Sequence, residues 1–254
     1  MVNLLYSQAS QPILLEVEGA IQIGHNDNPT PNPGTIRYNG ADLQGYTPDG
    51  WISLTGVSYI YDIDNNRYET IKIGNQIWMA ENLRSTRYND GTPIQLITDN
   101  AAWTTADNAP AYTWYNNGPS AYGALYNEYV VSDTNSHNVC PAGWHIPSES
   151  EWNTLSSFLG GSSVAGGKMK QSGLEHWKSP NTMATNGSSF TGLPGGARNS
   201  YSGAFTGIGE FGGWWSNSLG TGGWIYYFLL ATNNILDNYV SDPKIGLSVR
   251  CIKD

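Results

Sequence analysis

The chain has 254 residues, a formal net charge of −9 and 13% charged residues, whereas an average soluble domain has roughly 25%. Its 12 Lys and Arg residues are scattered without a basic run, which argues against binding to nucleic acid or to an anionic membrane surface. The 30 glycines, 10 tryptophans and 16 tyrosines favour short strands and long structured loops over helices.

The first residues, Met1–Gln8, contain neither a basic region nor a continuous apolar region, so we expect no secretory signal. No apolar run approaches the roughly 20 residues that a membrane-spanning helix needs, so membrane insertion is not expected. A starting methionine without a leader favours a protein that assembles inside a cell and works outside it, such as a component of a phage tail or an injection-type particle. The alternative is a leader removed before this numbering begins.

Residues 1–56 are predicted to form a short β-rich connector. Over Ile13–Gly24 an apolar run with alternation indicates one or two strands. Prolines at alternate positions from Pro29 to Pro33 then exclude a helix or a central strand. Short hairpin strands are predicted at residues 35–39, 42–46 and 51–54. A segment of about 55 residues with few apolar anchors is marginally stable alone, so we expect it to pack on copies of itself.

A hairpin is predicted where the second region begins, near Val57. Two strand-like segments, Tyr59–Asp64 and Arg67–Ile73, flank the pair Asn65–Asn66, and asparagine tolerates the positive φ of a tight turn. The alternative is a calcium loop, since Asp62, Asp64 and Asn66 are spaced as in such loops. The downstream glycine and the glutamate at position twelve are missing, so calcium is the less favoured interpretation, and no other cofactor is expected.

Two helices are predicted. The first covers about Ser120 to Val131, where apolar residues fall at helical spacing. The second follows Pro147, because Ser148 and Glu151 form a capping box, and it ends at Gly160–Gly161. Beyond it, glycine-rich turns separate four further strand candidates: Ser188–Phe190, Trp214–Ser216, Trp224–Leu230 and Ile245–Cys251.

Cys140 and Cys251 are the two cysteines of the chain. They predict either one long-range disulfide, which ties a mid-chain segment to the last strand, or two buried thiols side by side. The bridge would suit an extracellular working place.

Seven ordered segments carry a resemblance to a known family: residues 73–83, 88–94, 122–127, 140–148, 193–196, 213–216 and 248–251. Over about residues 57–254 the chain resembles the Fibrobacter succinogenes major paralogous domain. This resemblance implies a surface or secreted protein of the kind found in Bacteroidetes and Fibrobacteres, without an assigned enzymatic activity.

The capped helix and the closing Ser248–Cys251 segment are also similar to the C-type lectin and formylglycine-generating enzyme superfold. That looser similarity implies an α+β fold: a C-type-lectin-like domain with two helices around a small twisted antiparallel sheet and long loops. The N-terminal segments 20–24, 34–39 and 51–54 resemble connectors of phage-tail and adhesin proteins. This second resemblance implies a homotrimer held together through residues 1–56.

No catalytic constellation is found in the sequence. The formylglycine-generating enzyme needs a pair of cysteines near its C-terminus, and here Cys251 has no second cysteine nearby. The four histidines His25, His137, His145 and His176 lack metal-ligand spacing, and His145 is interpreted as packed and hydrogen-bonded. Neither a nucleophile elbow nor a phosphate loop occurs. We therefore predict a protein that is not an enzyme and binds no catalytic metal, although paired carboxylates for glycoside cleavage stay possible.

Aromatic residues flanked by amides and carboxylates suit recognition of sugars or proteins, because flat rings stack while polar groups bind hydroxyls. The predicted ligand-binding residues are Asn217, Trp224, Tyr226, Asn233, Asn234, Asp237, Asn238 and Tyr239. The loop 232–243 is the least explained by packing. Trp214 and Trp215 are instead assigned to the core, and alternate residues of strand 224–230 must also point inward.

Three functions follow as hypotheses. The first is a receptor-binding tip or fibre component of an extracellular or virion-like particle, which recognises a cell-surface glycan or protein. The second is a structural decoration or adaptor that contacts only other particle subunits. The third is a secreted, glycan-associated or glycan-degrading protein.

Overall fold

The computed structural model describes residues 31–38, 43–47, 50–54, 58–118, 121–132 and 136–254. The chain divides into two compact units, Met1–Gly56 and Val57–Asp254. The strands predicted within residues 13–24 lie outside the described residues. None of the helices in the described part of the chain has both the length and the apolarity required to cross a membrane.

The described part of the first unit is a small antiparallel sheet. Its strands are β1 (Ile36–Tyr38), β2 (Leu43–Thr47) and β3 (Gly50–Ser53), in the order β1-β2-β3. These strands confirm the three predicted hairpin segments. Ile36, Tyr38 and Leu54 are each 47% exposed, so the sheet leaves much of its apolar surface in solvent.

The second unit contains three sheets among its described residues. One has the strand order β10-β16-β6-β5-β4 and consists of β4 (Ser58–Tyr61), β5 (Arg67–Ile73), β6 (Gln76–Met79), β10 (Trp144–His145) and β16 (Ile252–Lys253). Another has the order β7-β8-β9 and consists of β7 (Gln95–Leu96), β8 (Ala111–Trp114) and β9 (Ala124–Tyr126). The last has the order β12-β11-β13-β14-β15 and consists of β11 (Gly195–Arg198), β12 (Phe205–Ile208), β13 (Phe211–Gly220), β14 (Gly223–Leu230) and β15 (Asp237–Ser241).

Four short helices connect the strands of the described residues: α1 (Asn100–Thr104), α2 (Glu128–Val131), α3 (Glu149–Phe158) and α4 (Ser162–Met169). The capping box that predicts α3 is confirmed, because Ser148 accepts from the Glu151 amide and the Glu151 side chain accepts from the Ser148 amide. The helix α4 begins after Gly161, which has no side chain that could cap the helix. The sequence therefore contains no capping pattern for this helix.

The predicted α+β, C-type-lectin-like fold with two helices is wrong. The described residues form sixteen strands and four helices, and the longest helix has ten residues. The sheets curl into half-barrels. In β13 the register shifts between Trp215 and Leu219, and an irregularity of this kind bends a strand and increases its twist.

The first predicted helix, Ser120–Val131, is also largely wrong. Ser120 lies outside the described residues, β9 is extended, and only the four residues of α2 are helical. All three residues of β9 are buried, because the strand is covered on both faces and therefore carries no polar alternation. Apolar residues in a short run fit helical spacing equally well. The predicted strand Ser188–Phe190 is a turn instead, in which Ser189 has a φ of +57°.

The core of the second unit has two main clusters, one on each side of β13. Trp214 and Trp215 are both fully buried, as predicted, and they belong to different clusters. On the Trp214 side, Trp152 stacks on Tyr227 with ring centroids 5.0 Å apart. Cys140 and Cys251 are joined in a disulfide on the other side, so the structure has the bridge rather than two thiols.

Three buried cations hold the long loops. Lys170, Arg198 and Arg250 are fully buried, and none of them forms an ion pair with a carboxylate within the described ranges. Each donates to backbone carbonyls instead: Lys170 to Thr182, Leu230 and Asn233; Arg198 to Ile97, Thr98, Asp99 and Gly203; Arg250 to Phe190 and Thr191. Buried carbonyls outside helices and sheets need donors, and these side chains supply them.

Candidate functional site

The central strand β14 presents two different faces. Ile225, Tyr227 and Leu229 are buried, whereas the residues between them are half-buried, as the alternation of a strand requires. Trp224, Tyr226 and Phe228 therefore share the second face of this sheet. The first set of side chains packs into one core cluster, whereas the second set borders the other cluster, where the buried Trp215 lies opposite Tyr226, and stays half-open to solvent.

The register of the neighbouring strands completes this surface. In β15, Tyr239 lies opposite Tyr226 and Asp237 lies opposite Phe228, and directly opposite residues point to the same side of a sheet. In β13, Phe211 lies opposite Leu230 and Leu219 lies opposite Trp224. We call this surface the aromatic face and define it by six residues: Phe211, Trp224, Tyr226, Phe228, Asp237 and Tyr239.

The rings of the aromatic face support one another. Phe211 stacks on Phe228 with centroids 5.8 Å apart, and Tyr226 lies 5.8 Å from Phe228. Trp224 and Tyr226 also pack against the core cluster that contains Trp215, which fixes their orientation. Tyr239 is 65% exposed on the strand at the edge of the sheet, so it offers the most open ring of this surface.

Polar groups lie beside the rings. Burial raises the pKa of the Tyr226 phenol, and the neighbouring Tyr239 and Asp237 raise it further, so this hydroxyl stays protonated at neutral pH. Asp237 is exposed and brings a carboxylate to the same face. The arrangement can therefore bind a ligand by ring stacking together with hydrogen bonds to hydroxyl groups.

Of the predicted ligand residues, the structure brings together Trp224, Tyr226, Asp237 and Tyr239. The sequence analysis missed Phe211 and Phe228 as part of this face, although Phe228 continues the alternation of Trp224 and Tyr226. The prediction that residues 232–243 form a loop is wrong for Asp237–Ser241, because this segment pairs with β14 as a strand. The segment is rich in polar residues because it is an edge strand whose outer side faces solvent, and this composition led to the prediction of a loop.

The other predicted residues lie elsewhere. Asn238 is opposite Tyr227 and points to the other side of the sheet. Asn233 and Asn234 shape the connection before β15: the Asn233 carbonyl accepts from Lys170 at 2.7 Å, and the Asn234 carbonyl accepts from the Gly167 amide at 3.1 Å. The main chain of these two residues therefore anchors the connection, and the ligand-binding role of their side chains stays a prediction.

Asn217 lines a small cavity of about 150 Å³ together with His137, His145 and Val131. His145 bridges two carboxylates there: its Nδ1 lies 2.6 Å from Asp254 Oδ1 and its Nε2 lies 2.9 Å from Glu151 Oε1. The hydrogen-bonded interpretation of His145 is therefore confirmed. Because both ring nitrogens are engaged, His145 links the N-terminus of α3 to the end of β16.

The His145 bridge predicts a pH-dependent stability. Burial alone would lower the pKa of His145, but the hydrogen bonds to Asp254 and Glu151 outweigh it and raise the pKa above the ordinary value of 6.5. The stabilisation is therefore fully present below about pH 6.5 and is lost as the pH rises through the higher pKa of the folded state. We expect His145→Gln to lose more unfolding free energy relative to wild type at about pH 5.5 than at about pH 8.5, measured by urea denaturation.

A matched control for this experiment is His176→Gln. His176 Nδ1 donates to Gln171 Oε1 at 2.7 Å, since an amide oxygen only accepts, and His176 has no carboxylate partner among the residues with described positions. The control should show no such difference between the two pH values. An equal loss at both pH values in His145→Gln would mean that the ring packs without titrating.

The hairpin interpretation of residues 62–66 is confirmed. Asn65 has a φ of +62°, and the turn connects β4 to β5. The Asp62 carboxylate accepts from the amides of Asp64 and Asn66 at 2.9 Å and from the Tyr68 hydroxyl at 2.6 Å. The Asp64 carboxylate in turn accepts from the amide and the hydroxyl of Thr86. Within the described ranges, no group of three or more His, Cys, Asp or Glu side chains is arranged to hold a metal ion.

The comparisons with known proteins give one family. The model of the Fibrobacter succinogenes major domain matches residues 71–253, which is most of the 254-residue chain, and the chain belongs to this family. The resemblance predicted from the seven sequence segments is thereby confirmed, whereas the similarity to lectins is not supported. No curated protein matches the chain, and no solved structure matches it.

Proposed function

We propose that this member of the Fibrobacter succinogenes major domain family is a non-enzymatic recognition module that binds a cell-surface glycan through its aromatic face. The observation that carries the proposal is the alignment of Trp224, Tyr226 and Tyr239 on one side of a sheet, with Asp237 beside them. Tyr239 is too exposed to be accounted for by core packing. Side chains at alternate positions of a strand are roughly 6.6 Å apart, a spacing on which successive sugar rings can stack.

Two structural features support a location of the module outside a cell. The Cys140–Cys251 disulfide fits an oxidising environment. The exposed apolar residues of the first unit, Ile36 on β1 and Leu54 directly after β3, suit self-association, in line with a homotrimer through residues 1–56. A receptor-binding tip or fibre of a phage tail or injection-type particle combines these features, with a cell-surface glycan as the primary ligand.

A structural adaptor is the second candidate. It is favoured by the position of β15 at the edge of its sheet, because an edge strand offers backbone groups to a strand of another chain. In this role the aromatic face would contact other particle subunits, and no external ligand would be required.

The glycan proposal predicts that Tyr239→Ala weakens binding about tenfold or more, because a few large aromatic side chains contribute most of the energy of such an interface. The measurement is a glycan array and whole-cell binding with the purified full chain, followed by titration of the best glycan. Tyr239 makes few core contacts, so the variant should keep its thermal stability.

Tyr201→Ala is the matched control, because Tyr201 is 82% exposed and lies outside the aromatic face. It should bind as the wild type does. If the folded wild-type protein binds no glycan and no cell, the recognition proposal fails and the adaptor function takes its place.

A further inference from the structure

The aromatic face differs in character between its two ends. At one end, Trp224 lies opposite Leu219 of β13 and Ser241 of β15, and Leu219 is 67% exposed. Towards the other end, Phe228 lies opposite Asp237, which is the one charged residue among the six that define the face. Trp224 and Phe228 are separated by about 13 Å along the strand. The face therefore carries its charge at one end of an otherwise neutral surface.

Three rings and one carboxylate meet at the charged end. Tyr226 and Phe228 are alternate residues of β14, with Tyr239 opposite the first and Asp237 opposite the second, so all four point to the same side of the sheet. Directly opposite residues have Cβ atoms about 4.5–5.5 Å apart, and diagonal neighbours lie about 7–8 Å apart. These four side chains thus form the corners of one group, which we call the acidic end of the aromatic face.

The side chains of the acidic end are close enough to act on one ligand. The ring centroids of Tyr226 and Phe228 are 5.8 Å apart. Burial raises the pKa of the Tyr226 phenol, and the charges of Tyr239 and Asp237 add to this shift, so both groups lie within electrostatic range of the hydroxyl. Asp237 and Tyr239 are exposed, which leaves the acidic end open to molecules from solution.

The charge of Asp237 is not compensated by the chain. Asp237 takes part in none of the ion pairs that the described residues form. Its Oδ1 accepts from the amide of Asn238 at 2.9 Å, and its Oδ2 has no donor within the described part of the chain. The net charge of the whole chain is −9, so the field of the protein also attracts cations. A cationic ligand is therefore favoured at the acidic end, and an anionic one is disfavoured.

Aromatic rings beside a carboxylate form the surroundings that an organic ammonium group prefers. A cation within about 6 Å of a ring centroid is attracted by the electrons of the ring face, and a carboxylate accepts strong hydrogen bonds from charged N–H groups. Inside the protein, Arg198 and Arg250 each lie over two rings. None of the cations with a described position lies over Tyr226, Phe228 or Tyr239, so these rings can receive a cation from outside.

We infer that the acidic end of the aromatic face binds the ammonium group of an unacetylated amino sugar. The ammonium group donates to Asp237 and lies against the rings of Tyr226 and Phe228, while the attached sugar rings stack on Tyr239 and along the face. This inference rests on the proposed glycan recognition and refines its ligand to a cationic glycan. A metal ion would need several oxygen ligands, whereas the acidic end offers one carboxylate. A neutral or N-acetylated sugar would leave the charge of Asp237 unpaired.

The test compares three tetrasaccharides that share a β-1,4-linked glucose backbone and differ at carbon 2 of each sugar. These are the glucosamine tetramer with a free amine, chitotetraose with an acetamide, and cellotetraose with a hydroxyl. Each is titrated calorimetrically into the purified full chain at slightly acidic pH, where the amines are protonated. We expect the glucosamine tetramer to bind about tenfold more tightly than the other two. This preference should decrease at higher ionic strength, because salt screens exposed charges.

Asp237→Asn removes the charge and keeps the shape of the side chain. In this variant the preference for the glucosamine tetramer should fall to about twofold or less. Glu175→Gln is the matched control, because Glu175 is exposed and lies outside the aromatic face. The control loses the same charge from the surface, and it should keep the tenfold preference of the wild type.

Three results would overturn the inference: no binding of the glucosamine tetramer, equal affinity for all three tetramers, or a preference that persists in Asp237→Asn. Failure of the glycan proposal itself gives a different pattern. Binding of neutral glycans that is lost in Tyr239→Ala, without a preference for the amine, would reject the ammonium group alone. A preference for the amine that is lost in Asp237→Asn, but with full affinity in Tyr239→Ala, would reject ring stacking alone.

Discussion

Replacing Arg250 with methionine is expected to lower the free energy of unfolding by about 3–5 kcal/mol, because it leaves several buried acceptors without a donor at a cost of about 1–3 kcal/mol each. Burial lowers the pKa of Arg250 to about 9, so the guanidinium remains charged at neutral pH. It donates to the carbonyls of Phe190 and Thr191 and to Asn82. Methionine keeps an apolar stem but leaves these buried acceptors without a donor.

The measurement is urea or guanidinium denaturation of Arg250→Met against wild type at neutral pH. Lys253→Met is a suitable control, because Lys253 lies near the same end of the chain and is exposed, and it should change stability by less than about 0.5 kcal/mol. A loss below about 1 kcal/mol for Arg250→Met would show that water replaces the guanidinium at these carbonyls.

Removing the disulfide by the double replacement Cys140→Ser, Cys251→Ser is expected to cost about 2–5 kcal/mol of unfolding free energy. The bridge spans a sequence separation of 111 residues, and a cross-link over a long loop removes much freedom from the unfolded chain. It also ties the segment before β10 to the start of β16. The pairing of β16 with β6 consists of one residue pair, Ile252 with Trp78.

The comparison is made by denaturant unfolding of the oxidised protein, the reduced protein and the double variant. Addition of reductant should bring the wild type close to the double variant and should leave the variant unchanged. Equal stability of oxidised and reduced wild type would contradict a stabilising role of the bridge.

Local features of the fold could be predicted from the sequence. The hairpin at Asn65 follows from a residue that tolerates positive φ, and α3 follows from the capping box of Ser148 and Glu151. The burial of Trp214 and Trp215 follows from their place in the segment 213–216, one of the motifs that carry the family resemblance. Each of these signals lies within a few residues of the element that it predicts, so no knowledge of distant partners is required.

Non-local features could not be predicted in this way. The chain segments around Gly246 and Ser248 pair with Arg198 and Trp214 through single bridges, and such isolated pairings leave no period in the sequence. The β9 strand is covered on both sides, so its run of apolar residues gave the wrong prediction of a helix. The lectin-like fold was inferred from a few local motifs, and these motifs carry no signal for the curling of the sheets.

The candidate site was found in part. The alternation of Trp224 and Tyr226 on β14 is visible in the sequence, but the partners of each residue depend on the register with β15. That register places Tyr239 and Asp237 beside them and turns Asn238 away. Residue type alone could not separate these neighbours, because Asp237, Asn238 and Tyr239 are all plausible ligand-binding residues.

The buried cations have a consequence for how this domain can vary. Lys170, Arg198 and Arg250 hold the loops mainly through main-chain carbonyls, which every amino acid possesses. A loop anchored by its backbone can exchange its side chains without losing its anchor. Substitutions at exposed positions of these loops should therefore alter what the surface recognises while the path of the chain stays the same, so that one scaffold can support many specificities.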